Sequence, residues 1–266
     1  MLSQYSPTED QKLNNLLKDL VSGMQTILKA KFLGAYLGGS FAHGGWDHDS
    51  DIDFDVVIES DLTDTEIIEL TVHHTKIYEM GSYWGKHLEG AYFPKDILQN
   101  LDWTDQAIWY LDNGSLTFER SIHDNTLVNR WVLREHGLVL AGPPPRRWIP
   151  PIPDEKLKAE VRQTMQDWGN EILQGGYPLD NRWAQTFAVL MYCRMLHTLA
   201  TGEVQSKLAG ATWAKVTVDR TWTALIDDAM SARPGQYTKI SHPSDPEKVK
   251  LTKAFIAYAL SEVGQI

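Results

Sequence analysis

The sequence holds a single cysteine, Cys193. That excludes an internal disulfide, and a lone thiol inside an apolar helical pattern fits a reduced, cytoplasmic setting. Long apolar runs are also missing. No stretch of 18 or more residues is wholly apolar, which excludes a hydrophobic membrane-spanning helix. The first eleven residues are polar and lack a basic segment followed by an apolar one, so no secretory leader is expected. Basic residues are scarce: 25 Lys and Arg stand against 35 Asp and Glu, a net charge of -10. Nucleic-acid binding draws mainly on basic surface, so that balance disfavours DNA or RNA as a partner. It favours a cationic partner, or a metal that neutralises part of the acidity. There is no internal repeat and no low-complexity tail. What is present is a 42% hydrophobic chain of 266 residues, enough for one large domain or two small ones with a core.

The chain is organised around Leu37-Gly38-Gly39-Ser40 and the stretch from Asp49 to Ile58. Phe32 to Leu37 reads as a buried strand, which the two glycines and the serine interrupt. From Asp51 the residues alternate. Asp51, Asp53 and Asp55 face one way, and Ile52, Phe54, Val56 and Ile58 the other, as in a strand with one buried face. Alternation sets the Asp51 and Asp53 carboxylates roughly 6–7 Å apart. Carboxylates that close repel unless a cation lies between them. Hard oxygen ligands in that arrangement suit Mg²⁺, in particular Mg²⁺ that also carries substrate phosphates. Gly39-Ser40 offers backbone N–H groups that a phosphate can approach without meeting a side chain.

Asp47, Asp49, Asp51 and Asp53 also suggest a calcium loop of the EF-hand kind, but that reading fails. Counted from Asp47, the sixth residue is Ile52 where the loop needs Gly, and the twelfth is Ile58 where it needs Glu; counted from Asp49, the twelfth is Ser60. Gly39-Ser40, a spacer, then Ser50-Asp51-Ile52-Asp53 instead resembles the signature of the nucleotidyltransferase superfamily with a DNA-polymerase-β-like catalytic fold. The resemblance implies nucleotidyl transfer and says little about the acceptor.

The elements around this stretch agree in order. Ser6-Pro7-Thr8-Glu9 predicts a helix start with Ser6 as cap, and Leu13, Leu16, Leu17, Leu20, Val21, Met24 and Leu28 mark one face. Asp61 or Thr63 caps a second helix to about Glu79. His73 and His74 lie on it about 100° apart, which makes them poor partners for one metal and reads them as surface or packing residues. Lys86 to Phe93 reads as a strand carrying Glu89. A carboxylate there supplies the group needed near an attacking hydroxyl; an exposed strand glutamate is the bland alternative. The pieces between Trp103 and Phe118 give no clear pattern. Leu127 to Glu135 reads as helix, with His136 at its end in a structural role, and Gly137 to Gly142 as a last short strand.

Six of the twelve prolines lie between Pro143 and Pro153. This run predicts extended polyproline and a domain boundary. The expected fold is therefore α+β. Residues 1–145 form a nucleotidyltransferase domain with a mixed sheet and flanking helices, and residues 154–266 form an all-α helical bundle. Trp183 to Ala200 is apolar nearly all round and suits a central helix. Arg194 near its end needs an anionic partner if buried. Lys207, just after the cap Ser206, sits where an anion is welcome. Both can serve the triphosphate; a local salt bridge for Arg194 and a solvated Lys207 are the alternatives.

With Arg134-Glu135-His136-Gly137 and Ala141-Gly142-Pro143 closing the first domain, the chain resembles the aminoglycoside adenylyltransferases of the streptomycin and spectinomycin resistance type. That resemblance implies AMP transfer from ATP to a hydroxyl of a cationic aminocyclitol in the cytoplasm, by a monomer, with two Mg²⁺ ions. It implies that Asp51 and Asp53 hold the metal, with Glu89 near the metal and acting as general base. Gly39, Ser40 and Ser50 fall at the phosphate, Arg194 and Lys207 at ATP, and Asp180 at the acceptor. The sequence departs from the pattern at Trp103 to Arg120 and at Trp183-Ala184-Gln185.

Overall fold

The computed structural model describes residues 7–44, 46, 50–234 and 236–263, with side chains at all of these except 236–238. The chain divides into two compact units, Met1–Ile152 and Pro153–Ile266, each described by itself.

The first unit is a mixed sheet with helices, as the sequence predicts. Helix α1 (Gln11–Leu28) buries every residue of its predicted apolar face. It starts later than predicted. Asp10 is the cap, its carboxylate accepting the amides of Lys12 and Leu13 at 2.7 and 3.1 Å, while Ser6 lies outside the described residues. Thr8 and Asn14 exchange hydrogen bonds across this turn, which holds Pro7 to Glu9 off the helix.

Strands β1 (Phe32–Leu37), β2 (Ile52–Ile58), β3 (Leu88–Pro94), β4 (Ile108–Leu111), β5 (Phe118–Ser121) and β6 (Leu138–Ala141) form one sheet in the order β5-β4-β3-β2-β1-β6. Only the β2–β3 pair is parallel among these neighbours. A parallel pair needs a crossover, and α3 (Asp64–Glu79) provides it, opened by a capping box between Thr63 and Glu66. Of the surface and packing roles open to His73 and His74, the structure gives both the packing one. His74 is buried against Phe54, its Nε2 2.9 Å from the Tyr92 hydroxyl, and His73 Nε2 reaches the Leu20 carbonyl at 3.0 Å. Burial, with His73 beside it, pushes His74 down to about 3, so the ring is neutral.

The stretch without a sequence pattern forms the β4–β5 hairpin and the turn into α5 (Leu127–His136). Its order comes from side chains. Buried Arg130 donates to the carbonyls of Asn100 and Trp103 at 2.8 and 3.2 Å and, from Nε, to Asn125 Oδ1 at 3.1 Å. Asn125 in turn donates to the carbonyls of Trp103 and Gln106.

The proline run is not extended throughout. Pro145–Arg147 makes a 3-10 turn. Tyr36 donates to the Pro143 carbonyl and Trp148 Nε1 donates to Tyr36, each at 2.7 Å. Ile149 is fully buried. These bonds dock the run onto β1, so the first unit extends to Ile152.

The second unit is helical: α6 (Asp154–Gln174), α7 (Arg182–Thr201), α8 (Lys207–Thr217), α9 (Thr223–Ser231) and α10 (Pro246–Glu262). Helix α7 is central, buried on nearly every side, as its sequence predicts. Helix α8 lies close against it at Arg194, where a side chain at Gly210 would meet the Arg194 Cα at 2.7 Å.

Replacing Arg130 with Met is expected to remove the guanidinium's bonds to the Asn100 and Trp103 carbonyls, to take from buried Asn125 Oδ1 the donor it has there, and to cost about 2–3 kcal/mol. Urea unfolding checks this: the midpoint falls while the slope holds. An unchanged midpoint would remove this network from the interactions that hold the hairpin.

Candidate active site

Strand β2 leaves a loop and returns antiparallel to β1, with Tyr36 opposite Asp55 and Leu37 opposite Phe54. Its apolar residues Ile52, Phe54 and Val56 are buried, and Asp53 and Asp55 lie on the other face, half-buried. Asp51 immediately precedes the strand, anchored by the Ile52 amide donating to the His87 carbonyl at 2.8 Å. The parallel register sets Asp53 opposite Glu89. Residues so paired in neighbouring strands share a face about 5 Å apart.

Beyond β1, where the two glycines and the serine interrupt the strand, the chain makes a single helical turn, Gly39–Ala42 (α2). The Gly38 amide donates to the Asp53 carbonyl at 2.9 Å, which lays this turn over the acidic face. Gly39 has φ +47°, and a Cβ there would come within 1.7 Å of Asp53 Oδ2. Only glycine fits so close to that carboxylate. Ser40 Oγ is buried and takes no hydrogen bond among the described residues. Ser50 is buried at the start of the acidic stretch. Asp47 and Asp49 lie outside the described residues. The glycine turn, the orphaned hydroxyl and the close carboxylates together fit a metal-bound phosphate.

More groups converge here than the sequence singled out. Burial and then the charge of Asp53 push Asp55 up to about 7. Asp124, at the turn before α5, is held well above the usual carboxylate range by burial and by Asp55, Glu89 and Asp53. Asn129 holds Asp124 by a hydrogen bond to Oδ1 at 3.1 Å. Tyr110, on β4, donates its hydroxyl to Glu89 Oε1, and burial together with Glu89 keeps that hydroxyl protonated. His123 Nε2 lies 3.6 Å from Glu89 Oε1. Glu89, His123 and Asp124 each bring one ligand atom within 4.8 Å of the others, enough to offer a divalent ion a mixed nitrogen and oxygen set. For Asp55 the alternation was a signal; for Tyr110, His123 and Asp124 there was none.

The predicted residues of the helical half lie in the second unit. Lys207 opens α8 behind the cap Ser206, its Nζ 4.8 Å from the Phe187 ring centre. It lines a shallow open depression with Trp183, Thr186, Phe187, Leu190 and Arg233. So the cation that shares its pocket is Arg233, which the sequence did not single out, while Arg194 is half-buried where α7 meets α8. Asp180 is exposed just ahead of α7; its carbonyl accepts the Ser244 amide at 2.9 Å.

Residues 147–260 match the family of the aminoglycoside adenylyltransferase C-terminal domain. The spectinomycin 9-adenylyltransferase of Campylobacter jejuni is 24% identical over 82% of this chain and 84% of its own length. An aminoglycoside (3'') (9) adenylyltransferase of Klebsiella pneumoniae is 22% identical over 96% of both chains. The chain is related to the aminoglycoside adenylyltransferases. Its enzyme class is nucleotidyltransferase. The fold agrees: the crystal structure of spectinomycin adenyltransferase AAD(9) from Enterococcus faecialis, with ATP and spectinomycin, superposes with a TM-score of 0.65 at 17% identity, covering 93% of this chain and 98% of that one. Among the described residues no helix is long and apolar enough to cross a membrane.

Two measurements test the acidic face. Gly39→Ala forces strained backbone, roughly 1–3 kcal/mol, and drives a methyl into Asp53. It is expected to weaken ATP binding in the presence of Mg²⁺ at least about tenfold, or 1.4 kcal/mol; titration calorimetry reads this, and wild-type affinity would rule out the cradle. The second concerns pH. In metal-free protein Asp55 is raised to about 7 when folded, against about 3.9 unfolded. Between those values the folded state holds the extra proton, so stability falls as pH rises, by up to about 1.4 kcal/mol per pH unit, and levels off above 7. Asp55→Asn is expected to flatten that slope. Parallel pH profiles of unfolding for the two proteins would refute the shift.

Proposed function

We propose that this protein transfers AMP from ATP to a hydroxyl of a cationic aminocyclitol of the streptomycin or spectinomycin kind, releasing pyrophosphate. The observation that carries this reading is the register that sets Asp53 against Glu89, under a glycine turn that admits a phosphate. The kinship with named aminoglycoside adenylyltransferases supports the acceptor class.

Asp51 and Asp53 would hold Mg²⁺, with Glu89 beside them. Bound there, the metal neutralises the phosphates and the departing pyrophosphate. The chain's own groups do the rest. The amides of the Gly39 turn and the Ser40 hydroxyl receive phosphate oxygens. Glu89 takes the proton of the acceptor hydroxyl as its oxygen attacks the α-phosphorus in line. The acidic surroundings of Asp55 and Asp124 attract a cationic acceptor. From the helical unit, Lys207 and Arg194 are the proposed ATP ligands, with Arg233 beside Lys207 in its pocket. Asp180 is the proposed acceptor contact on that unit.

Incubation with ATP, Mg²⁺ and a panel of aminoglycosides, followed by mass spectrometry, is expected to yield pyrophosphate and an acceptor heavier by one AMP. An adenylated protein with no modified drug would move the acceptor to another class. Neither product would leave a nucleotide-binding protein without transfer. Glu89→Gln is expected to keep ATP affinity within about threefold while lowering turnover by at least about 10²-fold. Lost nucleotide binding with retained turnover would take the base role from Glu89.

A further inference from the structure

Glu89 is held unequally. Its Oε1 accepts the Tyr110 hydroxyl and faces His123 Nε2 at 3.6 Å. Its Oε2 takes no hydrogen bond among the described residues. Tyr110 is a buried side chain, 3% exposed, on the strand next to β3. Register places it opposite Ala91, not opposite Glu89. Ala91 is fully buried and carries only a methyl group, so the tyrosine ring can lean diagonally across it to the glutamate two residues away. The ring is further fixed by His123, whose centre lies 5.3 Å from it. The same hydroxyl also lies 3.3 Å from Asp112 Oδ1, a longer and weaker second acceptor.

We infer that Tyr110 is a positioning residue that holds Glu89 by Oε1 and so reserves Oε2 for the acceptor's proton. This rests on Glu89 being the base. In the transfer the acceptor O–H bond breaks and its proton goes to Oε2. The oxygen forms a bond to the α-phosphorus, and the bond to the pyrophosphate oxygen breaks, its electron pair leaving with pyrophosphate. A carboxylate free to rotate presents the required oxygen in only part of its orientations. One anchored oxygen removes that loss, since displacements of about 1 Å can cost about 10²-fold in rate.

The test is Tyr110→Phe, which deletes one oxygen and keeps the buried ring. With streptomycin and spectinomycin as acceptors, kcat is expected to fall about 10- to 100-fold, with KM for ATP and the melting temperature unchanged. A merely structural tyrosine would move the melting temperature and KM together, and that outcome overturns the inference. So does a kcat within about twofold of wild type, or a loss in His123→Ala with none in Tyr110→Phe. A crystal structure of the Tyr110→Phe variant reads the same point without turnover: a displaced or split Glu89 carboxylate supports the inference, and an unmoved one overturns it. Glu89→Gln, assayed alongside, separates the failures. If it turns over at the wild-type rate, the base assignment falls and takes this role with it. If it is inactive while Tyr110→Phe is unaffected, only the role of Tyr110 falls.

Discussion

One parallel strand pair governs the catalytic unit. β2 and β3 run side by side in the register that faces Asp53 with Glu89. Side chains alternate with period two, so a slip of one residue would turn one carboxylate into the core and the other out of the site. The apolar side of the same strands prevents that slip. Ile52, Phe54 and Val56 are buried beneath helices α1 and α3, and Phe54 stacks on neutral His74, which itself bonds Tyr92 of β3. The packing that makes the sheet stable and the register that makes the site are therefore one constraint. Gly90 shows how tight it is: a Cβ there would lie 2.0 Å from the Phe54 carbonyl.

That constraint concentrates charge that the metal-free protein bears as a cost. Burial first, and then the charges of neighbouring carboxylates among Asp53, Asp55 and Glu89, raise Asp55 and Asp124 above the ordinary carboxylate range. Any ligand that places positive charge among them relieves this repulsion, and by linkage the folded protein gains stability with ligand concentration. Binding and folding are thus coupled through the same carboxylates. The rigid parts around them have the matching task of holding acidic groups together against their repulsion: the Arg130 and Asn125 bonds that order the turn carrying Asp124, the capped start of α5, and the Tyr36–Trp148 bond that ties the proline run to β1.

How far this was legible depends on which forces write themselves into local pattern. Alternation from Asp51 to Ile58, the doubled glycine and the caps at Thr63 and Ser206 are local, and the structure follows them. Glu89 was legible because it sits inside a patterned strand. The stretch around residues 100–125 was not, because its strands span four residues each and its order comes from side chains that reach backbone carbonyls far along the chain. Tyr110, His123 and Asp124 were hidden with it. The first helix, expected to start behind Ser6, starts behind Asp10, where Thr8 and Asn14 exchange hydrogen bonds that no periodicity displays. The proline run has the composition of an extended linker, yet two hydrogen bonds through Tyr36 are enough to dock it.

The first turns of α7 carry polar groups that the bundle itself uses. Gln185 is fully buried, donating to Thr252 at 2.7 Å and receiving a hydrogen bond from Arg182 at 2.5 Å. Arg182 is further bound to Asp228 at 2.6 Å, and Asp228 accepts Lys248 at 2.7 Å. These groups are committed to tying α7, α9 and α10 together. Releasing one for a ligand would leave a buried donor or acceptor unsatisfied, at about 1–3 kcal/mol each. Recognition on this unit therefore has to come from groups whose bonding is not internal to the bundle. The exposed Asp180 carboxylate, which accepts a hydrogen bond from the adjacent Asn181 side chain at 3.2 Å, stands outside these ties, and Lys207 and Arg233 line a depression with Trp183 and Phe187. A carboxylate suits a cationic ligand, and cations in a depression with aromatic walls suit an anionic one such as a nucleotide. Under the proposed function, the helical unit would offer an acidic group to the cationic acceptor and cationic groups to the nucleotide.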